Sequence, residues 1–357
     1  MSILRPPKPR LWIWFLWLAC FYGVWTWLVT GLGLWQEAKD HWQMAVAMAV
    51  GSYAAGSTPM GGGTVGFPIL VLLFGQPAEL GRDFSFAVQS IGMTSASIFI
   101  LSRRQPLAAA MLWGSIRGAT LGVPLGIFLV APWVPSLWIK VTFAVVWGSF
   151  GLLHLWRLRE IASHQGMTDF SEKWDARVGL TIGLLAGASV VSVSGVGIDM
   201  VIYTVLVLVC RADLKIAIPT SVVIMAYASV VGILTKLCFT GVQPQVLGNW
   251  LATAPIVALG APLGAFVVEL IGRKPTLLVV AALCVIQFIW TLSEERQTLG
   301  PSGIAVALLA VLLFLFGFER LRGWGARLVG EQTSRHRRGD EPGGLLQQHP
   351  GQEPPLP

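Results

Sequence analysis

Two glycine-rich runs bearing hydroxyl groups are the parts of this sequence best suited to hold a ligand. One reads Gly56-Ser57-Thr58-Pro59-Met60-Gly61-Gly62-Gly63, the other Ser192-Val193-Ser194-Gly195-Val196-Gly197. Each interrupts a long apolar stretch, 43–75 and 177–210. Proline removes a backbone donor and glycine weakens helix continuity, so each stretch predicts two short helices around a break. A break leaves backbone N–H groups unpaired where the second helix begins. Such donors, aided by the helix dipole, suit a small anion. Ser57, Thr58, Ser192 and Ser194 add hydroxyl donors, while Gly61, Gly62, Gly63, Gly195 and Gly197 let a ligand approach the backbone. The same small residues also suit close helix packing, which needs no ligand.

Further residues carry polar chemistry inside or beside apolar sequence. Arg117 lies near the middle of the stretch 106–131. A charge at that depth is costly and normally has a polar partner or a task. It is a candidate to attract an anion, to gate, or to pair with Asp199. Asp199 follows the second break by two residues. It is a candidate partner for Arg117, a proton carrier in coupled transport, or a helix cap. Gln89 and Ser90 put polar groups on the helix after the first break, for pore lining or interhelical hydrogen bonds. Glu269 and Arg273 have the spacing of a boundary salt bridge, and Lys236 that of a side chain snorkelling to an interface.

Catalytic and metal chemistry find no support. Gly61-Gly62-Gly63 lacks the following Gly-Lys-Ser or Gly-Lys-Thr of a phosphate-binding loop. Cys20, Cys210, Cys238 and Cys284 form no CxxC pair, and His154 and His164 have no ligand-spaced partners. The expectation is a protein that is not an enzyme and holds no cofactor.

Composition narrows the class. Of 357 residues, 54% are hydrophobic and 12% charged, against about 25% charged in soluble domains. That excludes a soluble enzyme, a nucleic-acid binder and a disordered chain. The net charge of +7 comes from residues at segment ends and in the tail, where Lys and Arg orient a membrane protein. Ten apolar stretches stand at 11–34, 43–75, 84–101, 106–131, 136–156, 177–210, 216–237, 246–271, 275–292 and 301–318. Eight fit one crossing of about 20 residues each. Arg5, Lys8 and Arg10 precede the first run, which has no small-residue cleavage site and reads as a retained anchor.

The two interrupted stretches belong to an internal repeat. A shift of 134 residues lays Gly61 on Gly195 and Gly63 on Gly197. A shift of 138 lays Gly122-Val123-Pro124-Leu125-Gly126 on Gly260-Ala261-Pro262-Leu263-Gly264. The predicted organisation is an N-terminus and first helix (1–42), repeat one (43–156), a cytoplasmic linker (157–176), repeat two (177–292), a last helix (293–326) and a disordered basic, Pro/Gly-rich tail (327–357).

Charge placement bears on topology. If both interrupted stretches are re-entrant, Arg103, Arg104, Arg157, Arg159, Arg211, Lys215, Arg273 and Lys274 all fall on the side of the basic N-terminus. The expected fold is then an all-α integral membrane protein of two inverted repeats. Each repeat has one broken, re-entrant Gly-rich helix and three transmembrane helices. With the N- and C-terminal helices, this gives about eight crossings and two hairpins. Ten crossings with parallel repeats is the alternative.

The run Gly56 to Gly63, continuing as Thr64-Val65-Gly66-Phe67-Pro68-Ile69-Leu70, resembles the TauE/SafE family of sulfite and organosulfonate exporters. The resemblance extends to Gly187–Gly197 and the two GxPxG helices, and covers about 43–292. It departs at Ile202, which stands where the repeat would place a counterpart of Pro68. The resemblance implies a secondary transporter of the bacterial inner membrane, and the charge placement puts both termini in the cytoplasm. It would export a small anion, sulfite or a sulfonate, by alternating access, with proton or sodium coupling. Expected partners are that anion and membrane lipids, with the chain as monomer or homodimer. An anion channel, an ion-coupled uptake carrier and a non-transporting accessory protein are the alternatives.

Overall fold

The structure is a computed structural model and describes residues 9–168 and 170–339, with side chains left out at Glu269 and 330–339. It is an all-α, multi-span bundle. Among the described residues, nine helices are long and apolar enough to cross a membrane.

In chain order the helices are α1 Trp12–Gly31, α2 Trp35–Asp40, α3 Trp42–Ser57, α4 Gly63–Pro68, α5 Ala78–Ser102, α6 Ala109–Leu129 and α7 Ser136–Ile161. Then follow α8 Glu172–Ala186, the single turn α9 Ser192–Ser194, α10 Ile198–Leu208, α11 Leu214–Thr235, α12 Val246–Ile271, α13 Arg273–Glu294 and α14 Arg296–Gly339. Wide π turns extend α4 over Ile69–Leu73, bridge α8 to α9 over Gly187–Val191 and extend α11 over Lys236–Thr240. Local chemistry sets several ends. The Ser171 hydroxyl accepts from Trp174 N at the start of α8, and the Asp213 carboxylate from Lys215 N at the start of α11, as N-caps do.

Both interrupted stretches fold as helical hairpins. In the first, a Cβ on Gly51 would touch Val65 and one on Gly66 would touch Met48, so α4 runs back along α3. The return helix also runs antiparallel to α5, with Gly63 against Ser85 and Gly81 against Phe67 and Val71. In the second, the chain leaves α10 beside the linker where α8 began: Thr168 N donates to Cys210 O and Asp213 N to Gly166 O.

Glycines set the closest helix contacts. Along α6, Gly114, Gly118, Gly122 and Gly126 meet the α8 backbone successively at Ala176, Leu180, Leu184 and Ala188. Both series rise together, so α6 and α8 are parallel. Gly179 and Gly183 return the contact onto Met111 and Ser115. The α3–α12 pair is built alike, with Gly260 against Ser52, Gly264 against Tyr53 and Gly56 against Ala261. These are the two most extensive helix pairs in the molecule. Each joins the GxPxG helix of one half to the entering arm of the other half's hairpin. Spacing small residues four apart lets backbones approach without a hydrophobic driving force.

The remaining contacts fix relative directions. Ser95 Oγ donates to Ala258 O, and Arg103 lies over the Phe266 ring, so α5 and α12 are parallel. Gly232 packs on Phe86 while Ala108 N donates to Thr220 Oγ1, so α11 runs against α5. Lys140 pairs with Glu295 at 2.6 Å, and Gly151 packs on Ala281, so α13 runs against α7.

The elements depart from expectation in two places. The helix of the 84–101 stretch begins at Ala78, so Arg82 and Asp83 lie inside it, both buried. The last helix starts at Arg296 and continues to Gly339 with a break at Gly300, overrunning the tail boundary expected at 327. Residues 340–357, the rest of that tail, lie outside the described residues.

Candidate functional site

The two breaks meet. Gly61 N, at the first break, donates to Asp199 Oδ2 of α10 at 2.6 Å. Met200 N donates to the other carboxylate oxygen at 3.0 Å. Gln89 of α5 bridges the same junction. Its amide nitrogen donates to Ser85 O at 2.9 Å and to Gly195 O, at the second break, at 3.1 Å. Gly61, Gln89, Gly195 and Asp199 therefore form one buried polar knot contributed by both hairpins and α5.

The glycines here are required by geometry. A Cβ on Gly61 would run into Gln89 Oε1, and one on Gly63 into Val196 and Ser85. Gly195 and Gly197 have φ of 80° and 116°, a region that L side chains avoid. Gly62 packs against Met48 and Ala55. Below the knot, Trp147 stacks on Phe143 with ring centroids 4.1 Å apart, and Phe143 stacks on Phe67 at 4.4 Å. Trp147 Nε1 donates to Thr64 Oγ1 at 2.8 Å, which holds the return helix in place.

The hydroxyls behave differently from the expectation that they donate to a ligand. Ser57, Thr58, Ser192 and Ser194 donate to the carbonyls of Tyr53, Ala54, Ala188 and Val190, four residues back in each case. A hydroxyl has one proton, and helix carbonyls already hold all four. Ser90 likewise donates to Ala87 O and lies only at the edge of the buried region.

Arg117 does not join the knot. α6 turns its glycine face to α8, which leaves Arg117 exposed beside Thr120 and Trp113. The expected pairing with Asp199 is replaced by the Gly61 N–H. Lys236 is also corrected. It is buried and pairs with Asp83 at 3.2 Å instead of snorkelling, and Arg82 Nε meets the other oxygen of Asp83 at 3.0 Å. Two cations and one carboxylate leave one net positive charge next to the second break, where the Arg82 carbonyl abuts Gly195. Sequence placed Arg82 and Asp83 just outside an apolar stretch, so only the earlier helix start reveals them. His154 is buried and bridges Phe150 O at 2.9 Å and the Tyr203 hydroxyl at 3.0 Å. Arg273 donates to Leu214 O. Its expected partner Glu269 lies outside the described side chains. Among the described residues, no group of three or more His, Cys, Asp or Glu side chains is placed to hold a metal.

Beside the knot, between α3, α5 and α12, there is little space. The gap lined by Gly62, Gln89, Met48 and Ala261 holds about 10 Å³, room for no more than one water. A larger cleft of about 630 Å³ opens at the ends of α11 and α12, lined by Lys215, Arg273, Lys274, Asp213 and Gln105.

Interrupted helices that touch inside a multi-span bundle are the architecture of a membrane transporter. Residues 44–291 match the family described as Sulfite exporter TauE/SafE, and the chain belongs to that family. It is a helical membrane transporter of an exporter family, not an enzyme. No curated protein and no solved structure matches the chain.

Proposed function

We propose that this protein is a secondary transporter that carries a small anion, sulfite, a sulfonate or a related organic anion, outward by alternating access. The observation that carries the reading is the contact of the two breaks, Gly61 N to Asp199 Oδ2, between hairpins of two homologous halves. A ligand site at that junction opens to one side or the other as the halves rock.

The helix directions support inverted repeats. In repeat one, α3, α5 and α7 point one way and α6 the other. In repeat two, α8, α11 and α13 point opposite to their counterparts, and α12 opposes α6. With both hairpins re-entrant, the crossings are α1, α5, α6, α7, α11, α12, α13 and α14. Charge agrees with this count. Arg103, Arg157, Arg211, Lys215, Arg273 and Lys274 share one side with Arg10, whose N–H bonds Ser102 O. Glu37, Asp40, Glu79, Glu294 and Glu295 share the other. Basic loops face the cytoplasm, so both ends of the described chain lie there, in a bacterial inner membrane.

The cleft with Lys215, Arg273 and Lys274 opens on that cytoplasmic side and is an entry for an anion. The Arg82–Asp83–Lys236 centre lies toward the opposite side, where its net positive charge draws the anion onward. The direct hydrogen bond between the two breaks closes their junction and favours a carrier over a channel. The test is flux of labelled sulfite and labelled methanesulfonate in proteoliposomes. Saturable flux supports the reading, and no saturable flux of either anion sinks it. A cysteine introduced beside Arg103 should react with an impermeant maleimide only after the cytoplasmic side is exposed.

A further inference from the structure

One acceptor in the knot has no partner. Gln89 is 1% exposed, and its Oε1 makes no hydrogen bond. Its orientation is dictated by chemistry: the amide nitrogen faces the carbonyls of Ser85 and Gly195, and only an N–H can satisfy both. Oε1 therefore points to Gly61. A Cβ on Gly61 would meet this oxygen first, and Asp199 Oδ2 lies within 3.2 Å of the same point. A carboxylate oxygen and an amide oxygen thus border the same α-carbon in a buried place. Two acceptors left facing each other there are costly, and each unsatisfied buried group forfeits its desolvation free energy.

A single proton resolves the conflict. We propose that Asp199 and Gln89 form the proton-carrying site of the transport cycle, with Asp199 as the carrier and Gln89 Oε1 as the acceptor that holds its acid proton in the closed conformation. The proposal rests on the transporter reading above and adds the proton that travels with the anion. In the loading step, Asp199 carboxylate takes a proton from a hydronium ion, giving the carboxylic acid and water. Its O–H then donates to Gln89 Oε1, while the Gly61 and Met200 N–H groups keep their bonds to the carboxyl oxygens. Loading removes the one negative charge at the knot. An incoming anion then meets no like charge at the knot, so proton and anion occupy the site together and leave together, driven outward by the anion's own concentration gradient.

Other charged or titratable groups on the surrounding elements are already engaged or lie elsewhere. On α5, Arg82 and Asp83 are bound to each other and to Lys236 of α11. On α7, His154 bonds to Tyr203 of α10. On α13, Cys284 touches Met60 Sδ at 3.3 Å. On α14, Glu319 holds Arg157 and Arg322. On α8, Asp175 sits near the linker end, remote from the break.

The experiment uses the full chain in proteoliposomes with labelled methanesulfonate, whose charge is constant across the pH range. A pH gradient acidic on the side the anion leaves should stimulate wild-type flux, and Asp199→Asn should lose the stimulation. Gln89→Leu removes the acceptor for one hydrogen bond and should move the midpoint of the pH dependence down by about one pH unit. Stimulation by a sodium gradient in place of a pH gradient would overturn the proposal, as would unchanged pH dependence in both variants. Infrared spectra of the purified protein provide a readout that needs no flux. A carboxylic-acid C=O band should be present in the wild type at neutral pH, absent in Asp199→Asn and shifted in Gln89→Leu. Absence of that band from the wild type would overturn the proton assignment even if anions are carried. Absence of all anion flux with the band present would instead overturn the transporter reading.

Discussion

The two breaks align glycine on glycine, yet the structure uses those glycines for different ends. In the second break, Gly195 and Gly197 take left-handed φ values, and the chain turns on backbone freedom. In the first, no residue from Thr58 to Gly63 has positive φ. There glycine serves closeness: Gly61 lies against Gln89 Oε1 and Gly63 against Val196. The second break supplies a carboxylate, the first supplies an N–H donor, and α5 supplies the amide between them. Two similar glycine runs thus make unequal contributions to one junction. Ile202, which stands where the 134-residue shift would place a counterpart of Pro68, is a further difference between them.

Substitutions can break or sharpen this contrast. The largest effect is expected at Gly195→Ala, which combines left-handed strain with a Cβ pressed on the Arg82 carbonyl. Strain of about 1–2 kcal/mol and overpacking of about 1–3 kcal/mol predict a loss near the upper end of single-residue effects. It should appear as loss of folded protein in detergent thermal unfolding. Gly61→Ala meets only side-chain atoms, of Gln89 and Asp199, and carries no φ strain. It should cost about 1–2 kcal/mol, as the Gln89 amide gives up a hydrogen bond. Combining it with Gln89→Ala should recover much of that stability, a coupling read from a double-mutant cycle. Gly62→Ala, whose nearest neighbour would be the flexible end of Met48 at 3.3 Å, should change stability by about 0.5 kcal/mol or less. The smallest effect is expected at Arg117→Gln. An exposed side chain outside the knot should leave anion flux within about a factor of two. A collapse of flux in that variant would move the site away from the breaks.

Much of the architecture was legible because membranes impose strong patterns. Long apolar runs, charge at their ends and glycine clusters inside two of them follow from how lipid treats backbone and charge. The repeat was visible as two motifs in the same order. Individual side chains were less legible. Arg117 drew attention by depth alone, but depth does not tell which face of a helix a residue occupies. Arg82, Asp83 and Lys236 sat at the edges of apolar stretches, where charges are ordinary, and only the packing of α5 against α11 buries them together. The serine and threonine hydroxyls looked available, yet each finds its own helix carbonyl first.

Sequence by itself determined a multi-span membrane protein and the positions of its two breaks. Each follows from local composition and period, which need no knowledge of neighbours. Tertiary structure alone decided that the breaks touch, that Asp199 answers Gly61 instead of Arg117, and that Gln89 is left with an unpaired oxygen. The physical reason is that hydrogen bonds across 138 residues of chain depend on which helix faces meet. Here those faces are set by glycine stripes, whose effect appears only when two helices come together.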